Sequence, residues 1–370
     1  MMVKVQSAAE FQNGIYYEYD TDSRPLGQGG MGVVYQGFCF HEGDRSQFIP
    51  VAVKQMTYTT PALIDKAMRE ASIQVDNDHL LRMFGFVPNW EQDLSTGVRA
   101  LRYYVVMEAL WGVNLDSLIN GQLTDQYGNR CEYADSLYEL YNTDRVEFVK
   151  TVMESVLAGV KALHDNGVIH RDLDPSNVMI TQEGKIKVID FGISKRIDGT
   201  VSRTGGTVTG SLMGKVDYAP PEMITGDVEH HGYTTDIYEL GIMMYQLAVG
   251  NLPFSGDNAH IAQCQIQTPV PVDNVPDKAL RKIIRKATQK SQRERYQSID
   301  EMISDLERIS SGDSRETGDD EAPHPQAREA GRKTETPEPK EPAYIPKYVW
   351  YICAGVGFVV GIALRLILSN

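Results

Sequence analysis

Three oxygen-bearing side chains lie close together in the second half of the chain. The segment HRDLDPSN contains Asp172 and Asn177, and IDFG adds Asp190 a dozen or so residues later. Mg²⁺ favours oxygen ligands, so Asn177 and Asp190 suit a magnesium ion. Asp172 is a candidate base for a substrate hydroxyl. Phosphoryl transfer needs chiefly positioning and charge neutralisation, and these groups supply both.

A glycine-rich segment near the N-terminus is a candidate phosphate-binding element. The run LGQGGMGVVYQG places Gly27, Gly29 and Gly32 at the spacing GxGxxG. Glycines let a backbone bend tightly and direct its N–H groups at phosphates. The same spacing occurs in dinucleotide-binding turns, so by itself it also permits a dinucleotide-dependent oxidoreductase. Because the strand-like run 33–38 follows rather than a helix, the sequence favours a β-hairpin lid over phosphates.

A lysine and a glutamate could complete this phosphate site. The run VAVKQM predicts a strand with Ala52 and Lys54 on one face. A buried lysine needs an anion, whereas a solvated strand lysine is the alternative. Glu70 is the first glutamate after Lys54. It lies in a segment predicted to be a helix, with Thr60 as N-cap and Pro61 as the first helical residue.

The elements that would position these groups fall into two parts. Strand-like runs come first and helical patterns follow, which indicates an α+β arrangement. Strands are predicted over Gly32–Phe38, Pro50–Met56 and Leu101–Met107, and helices over Arg145–His164, Thr234–Val249, Ala279–Lys286 and Ser298–Ile309. A segment rich in Tyr, Asp and Glu, Gly121–Asn142, is interpreted as an insertion before the long helix.

The motifs in this order resemble those of eukaryotic-type (Hanks-type) serine/threonine protein kinases, in particular bacterial ones. The glycine loop, VAVK, HRDxxxxN and DFG are all present, and the resemblance covers residues 15–308. It implies a two-lobed kinase fold with a small β-rich N-lobe and a larger helical C-lobe. It also implies transfer of the γ-phosphoryl group of ATP to protein serine or threonine hydroxyls.

The resemblance assigns roles to individual residues. Lys54 would hold the α- and β-phosphates of ATP and pair with Glu70. Asp172 would be the catalytic base, while Asn177 and Asp190 would bind Mg²⁺. The three glycines of the GxGxxG segment would cover the phosphates.

An adenine pocket is implied in the same way. The run YVVMEAL resembles the hinge between the lobes, with Met107 as gatekeeper. Backbone groups of Glu108 and Leu110 would bond to adenine. The apolar walls of the pocket would be formed by Leu26, Val34, Ala52 and Met179.

Three further residues are implied to hold structure rather than to perform chemistry. Glu222 in DYAPPE would pair with Arg295, and Asp236 would be a buried aspartate of a large C-lobe helix.

Arg171 precedes the catalytic aspartate, an arrangement that in the family accompanies switching by a phosphorylated loop. We therefore hypothesise autophosphorylation within the following loop, at one or more of Thr200, Ser202, Thr204, Thr207, Thr209 and Ser211. The alternative is an ordinary polar, flexible loop.

Two positions depart from the family pattern. Asp174 stands where such kinases usually have a lysine that faces the γ-phosphate, and Lys215 stands where they usually have threonine. Because the family places these positions close together, we hypothesise that Lys215 supplies the missing catalytic charge and is held by Asp174. One alternative is that Asp174 points to solvent and Lys215 is incidental. Another is a catalytically impaired pseudokinase that acts as a nucleotide-binding membrane scaffold.

The C-terminal part of the chain changes character. Residues 310–347 are rich in Pro and Glu, which predicts a disordered linker. Residues 348–368 are largely apolar and as a helix would span ~31 Å, which predicts a transmembrane helix. A buried C-terminal helix of the folded domain is the alternative. Lys340 and Lys347 favour a single-pass protein with a cytoplasmic kinase domain. The GxxxG formed by Gly357 and Gly361 suggests a homodimer.

Composition excludes several other classes of protein. The net charge of −14 argues against sequence-independent nucleic-acid binding, which needs basic residues. The four cysteines form no CxxC pair, so neither a zinc site nor a disulfide framework is predicted. The first residues contain no apolar stretch long enough for a signal peptide.

Overall fold

The structure, a computed structural model, describes residues 1–29, 32–57, 59–92, 97–190, 195–196 and 216–310. They belong to a unit that extends to residue 314 and is separate from residues 315–370. The two-lobed kinase fold that the sequence predicted is present in this unit. A strand-rich N-lobe precedes a larger, mainly helical C-lobe.

The N-lobe is built on an antiparallel sheet in which the strand order is β1-β2-β4-β5-β7-β6, with β3 paired to β4. Its strands are β1 (Met2–Val5), β2 (Ile15–Asp20), β3 (Gly27–Gly29), β4 (Gly32–His41), β5 (Asp44–Met56), β6 (Met83–Gln92) and β7 (Arg99–Glu108). Two helices accompany the sheet, α1 (Ala8–Gln12) and α2 (Pro61–Ala71). The predicted strands are confirmed, and each is longer than predicted.

The start of α2 agrees with the prediction from its sequence. The side chain of Thr60 accepts a hydrogen bond from the backbone N–H of Leu63, and Pro61 is the first helical residue. A threonine cap satisfies an N–H group that the helix itself cannot, and proline lacks the N–H that would be unpaired there. These local signals fix the helix that carries Glu70.

The C-lobe contains the remaining helices and three short strand pairings. The helices are α3 (Leu115–Ile119), α4 (Glu132–Thr143), α5 (Arg145–Asp165), α6 (Pro221–Ile224), α7 (Tyr233–Val249), α8 (Asn258–Gln267), α9 (Lys278–Ala287) and α10 (Ile299–Ser310). The strands are β8 (Gly112–Asn114), β9 (Val168–Ile169), β10 (Val178–Thr181), β11 (Ile186–Val188) and β12 (Lys195–Arg196). Strand β10 lies between β11 and β8, and β12 pairs with β9. The four predicted helices are confirmed with small shifts of their ends.

Helices α5 and α7 form the centre of the C-lobe. Buried residues occupy almost the whole circumference of α7, from Thr235 to Ala248. A helix that is apolar on all sides belongs inside a large core, so its few polar residues stand out. Asp236 and Glu239 are two of these, and both are buried.

The N-lobe and C-lobe are joined by backbone hydrogen bonds as well as by the chain. The N–H of Leu81 donates to the carbonyl of Val188 at 2.9 Å, and the N–H of Val188 donates to the carbonyl of His79 at 2.8 Å. Helix α5 approaches the same place closely, because a Cβ on Gly159 would lie 2.5 Å from the carbonyl oxygen of His79. Only glycine fits this contact without a shift of the backbone.

The segment interpreted as an insertion has a structure of its own. A bridge joins Thr124 to Arg130, and α4 follows it. The Asp125 carboxylate stabilises this turn by accepting bonds from the backbone N–H groups of Tyr127 and Asn129, both at 2.8 Å. The hydroxyl of Tyr127 donates to Gln36 Oε1 at 3.4 Å, so the segment reaches strand β4 of the N-lobe.

Residues 311–370 lie outside the described part of the chain. The predicted transmembrane helix at 348–368 therefore lies outside it, as does the predicted linker except for Ser310, which ends α10. Among the helices that are described, none has the length and apolar character needed to cross a membrane.

Candidate active site

Helix α7 anchors the loop that contains Asp172 and Asn177, which is called the catalytic loop below. Asp236 accepts hydrogen bonds from the backbone N–H groups of His170 at 2.9 Å and Arg171 at 2.8 Å. The ring of His164 in α5 lies 2.7 Å from the same carboxylate. Asp236 is fully buried, as predicted, and these bonds satisfy a carboxylate that would be costly to bury alone.

Two residues of the site have strained backbones. Arg171 has φ of 68° and Asp190 has φ of 62°, both in the left-handed region that residues with a Cβ rarely adopt. Such a conformation costs on the order of 1–3 kcal/mol and persists where surrounding contacts impose it. At Arg171 the bond to Asp236 imposes it. The strain occurs immediately before Asp172 and at the predicted metal ligand.

The structure brings Asp172, Asn177 and the segment leading to Asp190 together. The Nδ2 of Asn177 donates to the backbone carbonyl of Asp172 at 2.7 Å, and the N–H of Ile189 donates to the carbonyl of Asn177 at 2.9 Å. Because Nδ2 is engaged, the amide oxygen of Asn177 is the atom left to bind a metal. Asp190 is exposed, so its carboxylate is accessible to a cation. These oxygen donors fit Mg²⁺.

Lys54 and Glu70 lie in different elements of the N-lobe. Lys54 is in β5, opposite Val34 of β4, and Glu70 is in the last turn of α2 with 5% of its surface exposed. Within the described part of the chain no ion pair joins them, and Glu70 Oε2 is buried without a hydrogen-bond partner. Burial raises the pKa of the Glu70 carboxyl, and the charge of Lys54 partly opposes this. The pair that the resemblance implied is therefore not formed here.

Lys66 is a charged residue near the site that the motifs did not identify. It lies one helical turn before Glu70 in α2, and its side chain is partly buried. Burial lowers the pKa of Lys66, while the negative charges of Glu70, Asp190 and Asp172 oppose the shift. The (i, i+4) spacing of Lys66 and Glu70 was the signal in the sequence that could have found it.

The glycine-rich segment forms the predicted hairpin. Gly27 pairs with Val34 and Gly29 with Gly32, while the N–H of Leu26 donates to the carbonyl of Val34 at 2.8 Å. A Cβ on Gly32 would lie 2.1 Å from the carbonyl oxygen of Gln55, so only glycine fits there. The tip of the hairpin, residues 30–31, lies outside the described residues.

Most of the other residues predicted to bind adenine lie on strands, whereas Leu26 and Leu110 lie just outside them. Ala52 of β5 pairs with Met107 of β7, and both are close to the end of β7 that leads into the hinge. Met179 lies in β10 of the C-lobe. Leu26, Val34, Met107, Leu110 and Met179 are all partly exposed, as walls of an open cleft would be.

The hinge is held by a lysine that sequence reasoning missed. The N–H of Glu108 donates to the carbonyl of Arg82 at 2.8 Å, which leaves the carbonyl of Glu108 as its backbone group for adenine. The Glu108 carboxylate pairs with Lys187 at 2.9 Å, and Lys187 also donates to the carbonyl of Leu80 at 3.1 Å. Lys187 is buried in β11, three residues before Asp190. It thereby links the hinge to strand β11.

Asp174 does not point to solvent, so that part of the alternative is wrong. It is buried, with 6% of its surface exposed, and it accepts bonds from Ser176 N at 2.7 Å and Ser176 Oγ at 2.5 Å. These bonds cap the 3-10 helix Pro175–Asn177, which carries the candidate metal ligand. Lys215 lies outside the described residues, as do Phe191, Gly192 and the six hydroxyl residues of the following loop.

The predicted pair of Glu222 and Arg295 is confirmed. Two hydrogen bonds, of 2.7 and 2.9 Å, join the guanidinium to the carboxylate, and the Arg295 side chain is fully buried. Arg295 also donates to backbone carbonyls of Thr234 and Gln289. The pair ties the start of α6 to the loop between α9 and α10.

Comparison with known proteins gives a consistent result. The family model described as "Protein kinase domain" matches residues 21–305. The chain is 30% identical over 298 residues to the probable serine/threonine-protein kinase PknB of Lactococcus lactis, which covers 79% of this chain and 42% of the relative. It is 30% identical over 292 residues to the serine/threonine-protein kinase PrkC of Bacillus subtilis, covering 76% and 39%.

A third relative shares a shorter region. The serine/threonine-protein kinase PknB of Mycobacterium tuberculosis is 33% identical over 195 residues, which covers 49% of this chain and 30% of the relative. The matched region thus makes up less than half of each of these relatives.

Proposed function

Because this chain belongs to the protein kinase family, we propose that it transfers the γ-phosphoryl group of ATP to serine or threonine hydroxyls of proteins. The observation that carries the proposal is the pair of hydrogen bonds that join Asp172 to Asn177 and Asn177 to Ile189, the residue before Asp190. The names of the relatives, which are serine/threonine-protein kinases, support the choice of hydroxyl.

Each part of the site has a role in this proposal. Asp172 accepts the proton of the substrate hydroxyl, and Lys54 contacts the phosphates of ATP. Asn177 and Asp190 hold Mg²⁺, which when bound neutralises charge on the phosphates. The glycine hairpin covers the phosphates, and the hinge backbone orients adenine.

The test is transfer of labelled γ-phosphate from ATP by the full chain with Mg²⁺, beside Asp172→Asn. We expect transfer to a generic protein substrate, and a loss of roughly 10²–10⁴-fold in the variant, because a positioned base contributes about that much. ATP binding without transfer by the wild-type chain would contradict the proposal and indicate a nucleotide-binding scaffold.

We also propose that Lys215 supplies the charge that the family usually places at position 174. The support is that Asp174 is buried next to Asp172, where a nearby positive charge would stabilise both carboxylates. Lys215→Met should then reduce transfer at least about tenfold, since a lost contact to a charged group is worth roughly 1.5–3 kcal/mol. Normal transfer by both Lys215→Met and Asp174→Lys would contradict this exchange of charge.

Autophosphorylation of the loop 200–211 is a further part of the proposal. Arg171 lies next to Asp172, and its buried Nε has no hydrogen-bond partner among the described residues. Phosphopeptide mapping of active enzyme should find phosphate on one or more of the loop hydroxyls. An unmodified loop in fully active enzyme would contradict it.

Finally, we propose that residues 348–368 anchor the chain in a membrane, with the kinase domain on the cytoplasmic side. The support is the apolar run and the lysines that precede it. The full chain should stay with membranes after alkaline extraction, and a chain ending at residue 310 should not. Release of the full chain by alkali would contradict the anchor.

The membrane helices are proposed to pair through the GxxxG of Gly357 and Gly361, so Gly357→Ile should weaken the homodimer.

A further inference from the structure

Helix α7 directs a second carboxylate at the catalytic loop. Glu239 follows Asp236 by three residues, about one helical turn, so the two lie on the same side of the helix. Glu239 has 2% of its surface exposed, and its Oε2 accepts a hydrogen bond from the backbone N–H of Leu173 at 2.9 Å. Neither the motifs nor the implied kinase roles include this residue.

The bond from Leu173 completes a set of contacts around Asp172. Asp236 binds the N–H groups of the two residues that precede Asp172. Glu239 binds the N–H of the residue that follows it, and Asn177 binds the carbonyl of Asp172 itself. The backbone is therefore held on both sides of the proposed base, with two of the anchors on one helix.

Burial and the neighbouring carboxylates make the charged form of Glu239 energetically unfavourable. Burial raises the pKa of Glu239 well above its usual range, and the carboxylates of Asp236, Asp172 and Asp174 add to the effect. Arg171 lies nearby, and its charge interacts favourably with Glu239. A buried acid in such a place is costly unless it makes a specific hydrogen bond, and the Leu173 amide provides one.

We propose that Glu239 is a positioning residue for phosphoryl transfer, which fixes the place of the Asp172 carboxylate by holding the amide of Leu173. The inference rests on the proposed kinase function. A small displacement of a catalytic group can cost about 10²-fold in rate, because reacting atoms must be aligned closely. The backbone of Asp172 is one bond away from the Leu173 amide, so movement there moves the base.

Three variants of the full chain test the inference. Glu239→Leu removes the acceptor at similar size, and Glu239→Gln keeps an acceptor oxygen. Tyr238→Phe is a matched control on the same helix, because it removes a buried hydrogen bond of 2.6 Å to Gln265 that does not involve the catalytic loop. Glu239→Ser, which is too short to reach Leu173, replaces the leucine variant if that one does not fold.

The first measurement is the rate of phosphate transfer at saturating and limiting ATP. We expect kcat to fall roughly 10–100-fold in Glu239→Leu with the KM for ATP within about twofold of wild type. Glu239→Gln and Tyr238→Phe should keep kcat within about threefold. If Glu239 only filled space, leucine would replace it with kcat unchanged, and that result would overturn the inference.

The second measurement does not depend on activity. Hydrogen–deuterium exchange of the peptide spanning residues 170–176 should speed up at least about tenfold at the Leu173 amide in Glu239→Leu, and not in the other two variants. Unchanged protection in Glu239→Leu would overturn the inference. If the wild-type chain transfers no phosphate, the proposed function fails, and the exchange result still decides whether Glu239 holds the loop.

Discussion

The two lobes hold their halves of the site in different ways. In the C-lobe, the backbone around Asp172 is fixed by Asp236, Glu239 and Asn177 at distances between 2.7 and 2.9 Å. In the N-lobe, Lys54 and Glu70 form no ion pair in the described structure, and a Glu70 oxygen is buried without a partner. The residues of one half are held by hydrogen bonds within the fold, and the two charged residues of the other half are not paired with each other.

This difference indicates which groups of the site would be ordered by the energy of substrate binding. Groups that are already fixed by the fold need no reorganisation when the substrate arrives, which favours the chemical step. Groups that become paired only on binding take part of the binding energy to order them. We therefore expect the C-lobe half to determine the rate of transfer and the N-lobe half to determine how readily the bound state forms.

The largest expected effect concerns the buried scaffold of the C-lobe. Arg295→Met leaves the Glu222 carboxylate buried without its partner, so the free energy of unfolding should fall by about 3–5 kcal/mol. Chemical denaturation of the kinase unit measures this. Lys161→Met, which breaks surface ion pairs with Asp165 and Asp300, is the control and should have a much smaller effect. Equal losses in the two variants would contradict the view that buried, fully paired charges hold the C-lobe together.

A smaller effect is expected at the hinge, where the two lobes meet. Lys187→Met removes the ion pair to Glu108 and the bond to Leu80, so the hinge should lose its fixed position. The KM for ATP should rise about tenfold with little change in kcat, because a bond to a charged group is worth roughly 1.5–3 kcal/mol. Steady-state kinetics at varied ATP separates the two constants. A fall in kcat with unchanged KM would show instead that Lys187 acts through Asp190.

The smallest effect is the pH dependence of stability that Glu70 introduces. Its folded pKa is raised above the ordinary 4.5, so the folded protein binds this proton more tightly than the unfolded chain does. The free energy of unfolding should therefore fall as pH rises from about 4.5 through the folded pKa. Glu70→Gln removes this fall, and the variant should be the more stable protein at neutral pH. The measurement is the free energy of unfolding at a series of pH values between about 4 and 8, roughly the range in which a carboxyl with a raised pKa titrates.

An unchanged pH profile in Glu70→Gln would mean that the pKa of Glu70 is the same in the folded and unfolded chain, so that favourable contacts of the charged carboxylate offset its burial. In that case the buried charged groups of the N-lobe, like those of the C-lobe, would be stabilised by their neighbours. A nucleotide that draws Lys54 and Glu70 together should have the same effect on the wild-type profile.

The sequence predicted those features that depend on local signals or on a motif. The cap at Thr60, the helix that carries Glu70 and the pair of Glu222 with Arg295 are examples. It did not predict the gap between Lys54 and Glu70, because that distance depends on how α2 packs against the sheet. Nor did it predict the orientation of Asp174, which is set by competition between solvent and the amide of Ser176.

Contacts between distant parts of the chain were also missed. Lys187 and Glu108 are 79 residues apart, and no pattern in either segment indicates the other. Glu239 is one of a few polar residues in a largely apolar helix, and its partner is a backbone amide, which every residue except proline possesses. Such pairings follow only from the fold.

The backbone bonds between Val188 and the segment His79–Leu81 have a consequence for biosynthesis. While the chain emerges from the ribosome, all seven N-lobe strands leave the exit tunnel well before Val188 does. Until then the turn that leads into β6 lacks two of its hydrogen bonds, and the hinge lacks Lys187. The nascent small lobe therefore stays incomplete over about 80 further residues of translation, a delay of roughly 4–16 s at elongation rates of 5–20 residues per second.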